Sequence, residues 1–173
     1  LNGIGLLIKR RNLALEPLIH GGESTTIYRS GTPTVALASS LACALDLAVT
    51  DLPERVDHVA KLNAELRAAL STYPLVRINS PDHAIPHVLN LSVRNVKGTV
   101  FQRELDAKGV CVSVKSACSS DGLPSRAVFA VSRDRRNALS SWRISLSHLT
   151  TEDEIKAFLQ AFDVCYRELT AVH

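Results

Sequence analysis

The hydrophobic pattern changes along the chain, from long apolar stretches in the early part to short alternating segments later. In the later part, apolar residues at every second position predict strands, and stripes with a 3.6-residue period predict helices. The predicted strands cover 75–78, 88–93, 110–114 and 142–147, and the predicted helices cover 100–108, 125–131 and the residues after Thr151. We therefore expect an antiparallel-type sheet with helices on one face.

The early part has a different pattern. Residues 4–9 (IGLLIK) form a nearly continuous apolar run, which is typical of a buried strand. A helix rich in Ala and Ser is expected over 34–50, and a second, amphipathic helix follows it. We place a lobe boundary near Asp51, so the predicted domains are 1–50 and 51–173.

Composition places the chain among globular proteins. It has 173 residues, of which 46% are hydrophobic and 21% charged, with a formal net charge of +3. Two basic clusters, at 9–11 and 133–136, could each contact a phosphate. No aromatic residues are interleaved with them, so solvated faces are favoured and no direct nucleic-acid partner is predicted.

Targeting signals are not evident in the sequence. We find no signal-peptide pattern and no long apolar span, so we expect a cytoplasmic protein without a membrane partner. The sequence contains no Met, and we expect it to be a piece of something longer.

The four cysteines divide into two groups. Cys43, Cys111 and Cys165 fall within helix or strand patterns and are expected to be buried small hydrophobes. Cys118 lies in VSVKSACSSDG, where the pattern predicts a short strand followed by a polar, mobile loop. Lys115 lies three residues away, and a nearby cation lowers the pKa of a thiol. A reactive thiol and an inert loop cysteine both fit this stretch, and no cysteine spacing suggests zinc.

Two further segments have the residue types of a binding site. The glycines of HGG and RSGT let the backbone approach a ligand closely, and the hydroxyls there suit a phosphate. Arg143 lies on the polar side of its predicted strand, where it could hold a carboxylate through two hydrogen bonds. A surface ion pair is the alternative for Arg143, and an ordinary loop is the alternative for RSGT.

The order of four motifs closely resembles the second half of the cysteine desulfurases. The motifs are GIGLL, HGGESTTIYRSGT, VSVKSACSS and WRISLSHLTTEDEI. These enzymes are homodimers of the class V branch of the fold-type I pyridoxal-phosphate proteins. The resemblance covers nearly the whole chain and implies an α/β fold. It assigns 51–173 to a small C-terminal α+β domain, and 1–50 to the last strand and long helix of the large domain.

The resemblance also assigns roles to residues. Cys118 matches the nucleophile that forms a persulfide, and Arg143 matches the arginine that holds the substrate's α-carboxylate. Thr32 matches the threonine that reaches the cofactor phosphate of the other subunit, and Ser30 and Gly31 shape that loop.

The implied activity removes sulfur from L-cysteine and releases L-alanine, with pyridoxal phosphate as the electron sink. Cys118 would then pass the sulfur to an acceptor protein for iron–sulfur cluster assembly, thio-cofactors or tRNA thiolation. The family's Schiff-base lysine should precede Leu1, so it is not in this chain. Lys9 matches the far end of the strand and is not a substitute. We therefore expect the chain alone to be inactive.

Departures from the family pattern leave alternatives open. Ser24 and Thr25 stand where many relatives have Gln-Glu, and Lys115 stands where many have Gly. The family's ring-stacking histidine and its aspartate on the pyridine nitrogen are also not in this chain. A selenocysteine lyase, a class V aminotransferase-like enzyme and a non-catalytic sulfur-carrier module are the alternatives.

Overall fold

A computed structural model of the chain describes residues 3–22, 26–115 and 123–171. The chain divides into two compact units, Leu1–Leu52 and Pro53–His173. The assignment of these stretches to a large and a small domain stays a prediction. Among the described residues, no single helix combines the length and the apolar character needed to cross a membrane.

Among its described residues, 3–22 and 26–52, the first unit holds the helix α1 (Val35–Thr50), and none of the residues of α1 is buried. Residues 4–9 form no strand, and Leu6, Leu7 and Ile8 are exposed. The predicted burial of this run is therefore wrong for the chain by itself. A buried strand needs neighbours on both edges, and the described residues of this unit include no strand that could pair with it.

The second unit alternates strands and helices, much as the sequence pattern predicts. Its elements are α2 (Leu52–Leu70), β1 (Val76–Ile78), β2 (Val88–Val93), α3 (Gly98–Asp106), α4 (Arg126–Ser132), α5 (Arg135–Ser140), β3 (Ser141–Ser145) and α6 (Glu152–Thr170). A capping box begins α6, because the Thr151 hydroxyl accepts from the Glu154 N–H and the Glu154 carboxylate accepts from the Thr151 N–H. The short helix α5 was not predicted.

The three strands form an antiparallel sheet in the order β1-β2-β3. Because side chains alternate along a strand, each strand has an apolar and a polar face. Leu89 and Leu91 of β2 and Trp142 of β3 are fully buried on the apolar face. The opposite face presents Asn90 and Arg143, which lie directly across from each other.

Helices cover the apolar face of the sheet. The core joins residues of α2, α3 and α6 with the strands in one hydrophobic cluster. At its centre the rings of Phe101 and Trp142 stack with centroids 5.2 Å apart. Because Trp142 is anchored in this way, the neighbouring Arg143 is held on the other side of β3.

The segment predicted as a strand over 110–114 pairs only once. Ser113 forms a single antiparallel bridge with Arg143, donating to its carbonyl at 3.1 Å and accepting its N–H at 2.7 Å. The core is contacted by three partly buried side chains, those of Val110, Val112 and Val114. The predicted alternation of side chains is therefore present, but the segment does not form a continuous series of strand hydrogen bonds.

The prediction for the three structural cysteines is right for one of them. Cys165 is buried on α6, but Cys43 and Cys111 are exposed. Cys43 lies on α1, which buries none of its residues. Cys111 alternates with Val110 and Val112 and therefore faces away from the core.

Candidate active-site cavity

A cavity of about 920 Å³ adjoins the polar face of the sheet in the second unit. Side chains from all three strands and from α4 and α5 line it. Arg143 and Asn90 are among the sheet residues at its wall, and Ser125 and Phe129 come from the α4 side. The sequence-predicted Arg143 therefore faces a cavity, which favours a binding role over a surface ion pair.

Arg143 is half-buried in the wall of this cavity. Its Nε atom is buried and has no hydrogen-bond partner among the described residues. A buried donor without a partner is costly unless a ligand or water supplies the acceptor. Its position therefore suits a bound anion.

The charge of the cavity favours anions as well. Of the described residues that line it, five are Lys or Arg and none is Asp or Glu. The basic residues are Arg77, Lys115, Arg126, Arg135 and Arg143. Arg77 pairs with Asp134 at 3.5 Å, but both side chains are about half exposed, so this pair neutralises the field only weakly. Clefts lined by one sign of charge attract the opposite sign.

Both described ends of the segment that contains Cys118 reach this cavity. Lys115 precedes the segment and Leu123 follows it, and both line the wall together with Arg143. Cys118 itself lies outside the described residues. The role assigned to it by resemblance therefore stays a prediction.

The candidate phosphate loop lies in the first unit, just before α1. Gly31 has φ +100°, a backbone conformation that favours glycine. The Ser30 N–H and hydroxyl both approach the Ile19 carbonyl at 3.4 Å. Gly21 approaches Ser30 so closely that an added Cβ would lie 2.9 Å from its hydroxyl oxygen. The glycines here thus allow the loop to fold back on itself.

The chemistry of this loop fits part of a phosphate site for pyridoxal phosphate. Thr32 is exposed and precedes the N-terminus of α1, where backbone N–H groups favour anions. The ammonium of Lys9 is engaged by neighbouring groups, unlike an amine that is available to bond to the cofactor. Its ammonium donates to the Leu13 carbonyl at 2.8 Å and lies 4.9 Å from the centre of the Tyr28 ring.

The structure brings Arg143 together with both ends of the Cys118 segment, whereas Ser30, Gly31 and Thr32 lie in the other unit. The sequence reasoning missed Asn79 and Asn90, which also line the cavity. The signal for Asn90 was present, because a strand that buries Leu89 and Leu91 must turn residue 90 to the polar face.

Comparisons with known proteins agree with the motif order. The family model for aminotransferase class-V matches residues 1–158. An IscS-like cysteine desulfurase of Mycobacterium tuberculosis is 33% identical over 91% of this chain and 41% of its own length. A cysteine desulfurase IscS of Vibrio cholerae is 34% identical over 98% of this chain and 43% of its own length.

Solved structures give the same result for the fold. A NifS-like protein from Rickettsia africae matches with a TM-score of 0.73 and 29% identity, over 90% of this chain and 41% of that one. The chain spans less than half the length of the curated relatives it matches. With a family match over most of its residues and desulfurase relatives along nearly its whole length, the chain belongs to the class-V aminotransferase family.

Proposed function

We propose that this chain contributes the substrate clamp and the sulfur-accepting thiol of a cysteine desulfurase. The reaction would convert L-cysteine to L-alanine and leave a persulfide on Cys118. The observation that supports it best is the Nε of Arg143, which is buried in a cationic cavity and has no hydrogen-bond partner within 3–22, 26–115 and 123–171. A guanidinium in such a place is suited to an α-carboxylate, which every amino-acid substrate carries.

The position of the Cys118 segment supports the same proposal. Ser113 is hydrogen-bonded to Arg143 through the backbone, and Cys118 follows five residues later. Five residues of extended chain span at most about 18 Å. The thiol is therefore tethered within reach of a substrate whose carboxylate is bound at Arg143.

In the proposed reaction, the chain's residues hold the substrate and accept its sulfur. Arg143 orients the substrate by its carboxylate. The thiolate of Cys118 would form an S–S bond to the substrate sulfur as the substrate's Cβ–S bond breaks, and the carbon fragment would keep that electron pair and take up a proton to leave as alanine. Ser30, Gly31 and Thr32 contribute to holding the phosphate of pyridoxal phosphate. When bound, this cofactor supplies an electron sink for the bonds broken in the substrate.

We also propose that the cofactor's lysine is not among this chain's residues, that the enzyme is a cytoplasmic homodimer, and that an acceptor protein takes the sulfur. The sulfur would serve iron–sulfur clusters, thio-cofactors or tRNA thiolation. The desulfurase names of the relatives support the reaction itself.

A chimeric enzyme tests the proposal. The part of the Vibrio cholerae relative that precedes its match would be fused to this chain, and visible absorbance would report bound cofactor. We expect the loaded chimera to release alanine from L-cysteine and Cys118→Ser to stop sulfur transfer. A loaded chimera that releases no alanine contradicts the proposal.

The alternatives predict other outcomes in the same experiment. An aminotransferase would keep its activity in Cys118→Ser, and a selenocysteine lyase would act on selenocysteine but not on cysteine. A sulfur-carrier module would accept persulfide sulfur from a donor in the absence of any cofactor.

A further inference from the structure

Three asparagines and a serine form a hydrogen-bond chain beside Arg143. The Asn137 side-chain amide donates to Asn79 Oδ1 at 2.9 Å. Asn79 Nδ2 donates to Ser92 Oγ at 2.8 Å and to Asn90 Oδ1 at 2.9 Å. The Ser92 hydroxyl donates to the Asn137 backbone carbonyl at 3.1 Å. Ser92 and Asn137 are buried, so water cannot readily replace the bond between them, and Asn79 and Asn90 are partly buried at the cavity wall.

The direction of every hydrogen bond in this network of four side chains follows from one group that can only accept, the Asn137 backbone carbonyl. The Asn137 backbone carbonyl has no hydrogen to give, so the Ser92 hydroxyl must donate to it. Ser92 Oγ then has only lone pairs left for Asn79, whose facing atom must be the amide nitrogen. The second hydrogen on that nitrogen points to Asn90, so the Asn90 atom facing Asn79 is its oxygen.

Within the described part of the chain, the amide nitrogen of Asn90 is consequently left as a donor without an acceptor. Its oxygen is engaged by Asn79, and its Nδ2 has no hydrogen-bond partner in the described part of the chain. Asn90 lines the cavity together with Arg143.

Asn90 and Arg143 also form a non-hydrogen-bonded cross-strand pair, the type in which the two side chains lie closest together. They are register partners in β2 and β3. The backbone N–H and C=O of Arg143 both bond to Ser113 on the other side, so the Asn90–Arg143 pair exchanges no backbone bonds. In antiparallel sheets such pairs have the shortest separation, with Cβ atoms about 4.5–5.5 Å apart.

We propose that Asn90 is a second carboxylate ligand beside Arg143, and that Asn79 is the positioning residue that keeps its amide nitrogen turned to the cavity. The inference rests on the proposed function, because it assigns the anion subsite to the α-carboxylate of the amino-acid substrate. The subsite consists of donors only, one charged and one neutral. It therefore discriminates a carboxylate from an uncharged group of the same shape.

The test is an NMR titration of the isotopically labelled chain with propionate, and with propionamide as the isosteric uncharged probe. We expect propionate to shift the Asn90 side-chain amide and the Arg143 Nε–H along one saturable curve. Propionamide should shift neither. A similar response to both probes would overturn the proposal.

Asn90→Asp is the decisive variant, because the new carboxylate still accepts from Asn79 but replaces the free donor by a negative charge. We expect propionate affinity to fall about tenfold or more, the loss typical of a charge-assisted hydrogen bond. Asn95→Asp makes the same change on an exposed turn outside the cavity and should leave affinity within about twofold. The indole resonance of Trp142 checks folding in both.

Asn79→Leu tests the positioning role without adding charge. With the amide of Asn90 no longer fixed, we expect an affinity loss of about threefold, part of one neutral hydrogen bond. If Asn90→Asp binds propionate as the unaltered chain does while Arg143 still responds, the Asn90 role is wrong and the clamp of the proposed function stands. If propionate shifts neither residue, both proposals fail.

Discussion

At the residue scale, side chains alternate between the two faces of β3, so Trp142 and its neighbour Arg143 point in opposite directions. Trp142 is buried against Phe101, and Arg143 turns to the cavity with its Nε unpartnered among the described residues. Because the backbone of Arg143 is bonded to Ser113 as well, the guanidinium has a rigid base. A ligand subsite on a rigid strand loses little entropy on binding.

Replacing Arg143 by Lys separates binding from folding. Lysine keeps the charge but loses the planar fork that grips a carboxylate through two bonds. We expect propionate affinity to fall about tenfold and the free energy of unfolding to change by less than about 1 kcal/mol. Denaturant unfolding and the NMR titration measure the two quantities, and unchanged affinity would contradict the role given to Arg143.

Cys165 makes stability depend on pH in the alkaline range. Burial raises the pKa of its thiol above the usual value of 9.0. The folded chain therefore holds this proton more tightly than the unfolded chain does. The contribution is fully present below the ordinary thiol pKa and is lost as pH rises through the folded value.

We expect the free energy of unfolding to fall above about pH 9, and less steeply in Cys165→Ala. Burial and a hydrogen bond to Asp163 also raise the pKa of Tyr73, so some decline remains in the variant. Cys43→Ala, at an exposed site, is the control and should keep the full slope. Equal slopes in the two variants would show that Cys165 is not responsible.

At the scale of elements, the close contact between α3 and β3 limits what residue 98 can be. Gly98 begins α3, and a Cβ added there would collide with the backbone oxygen of Ser141, at the start of β3. A backbone atom cannot move aside as a flexible side chain does. The small residue therefore allows α3 to lie against the strand that holds Arg143.

We predict that Gly98→Ala lowers the free energy of unfolding by about 1–3 kcal/mol, as overpacking in a core does. Gly5→Ala is the matched control, since nothing lies within 4 Å of its added Cβ. Denaturant unfolding of both variants measures the difference. If Gly98→Ala were as stable as Gly5→Ala, the backbone of Ser141 could shift away from the added Cβ at little cost in free energy.

Elements with a strong local signal could be predicted from the sequence, and those without it could not. β2 was predicted with its bounds because apolar and polar residues alternate throughout it. α5 was missed because six residues are too few for a helical stripe. Its start is set by the Asp134 side chain, which accepts from the N–H groups of Arg136 and Asn137. The Asn79–Asn90 contact is tertiary and leaves no local pattern.

At the scale of the whole molecule, the two units differ in how well they bury apolar side chains. The second unit has a continuous core, whereas α1 buries no residue and apolar side chains of residues 4–8 are exposed. The strand predicted over residues 4–9 does not form, because a buried strand needs pairing partners that the described residues of this unit do not provide. The order of the four sequence motifs indicated the family correctly, whereas the hydrophobic pattern of residues 4–9 gave a wrong prediction of burial.

We expect no desulfurase turnover from the chain alone, because we propose that the cofactor's lysine is not among its residues. The measurement is alanine and sulfide release from L-cysteine with added pyridoxal phosphate. The loaded chimera serves as the positive control. Robust turnover by the chain alone would show that a lysine within it serves the cofactor.

The most direct test of the central claim is peptide mass spectrometry of the loaded chimera after a single addition of L-cysteine. The account predicts one extra sulfur atom on the peptide that contains Cys118, formed together with alanine and lost when Arg143 is replaced by Ala. Alanine formation with the sulfur on Cys111 or on no cysteine at all would contradict it.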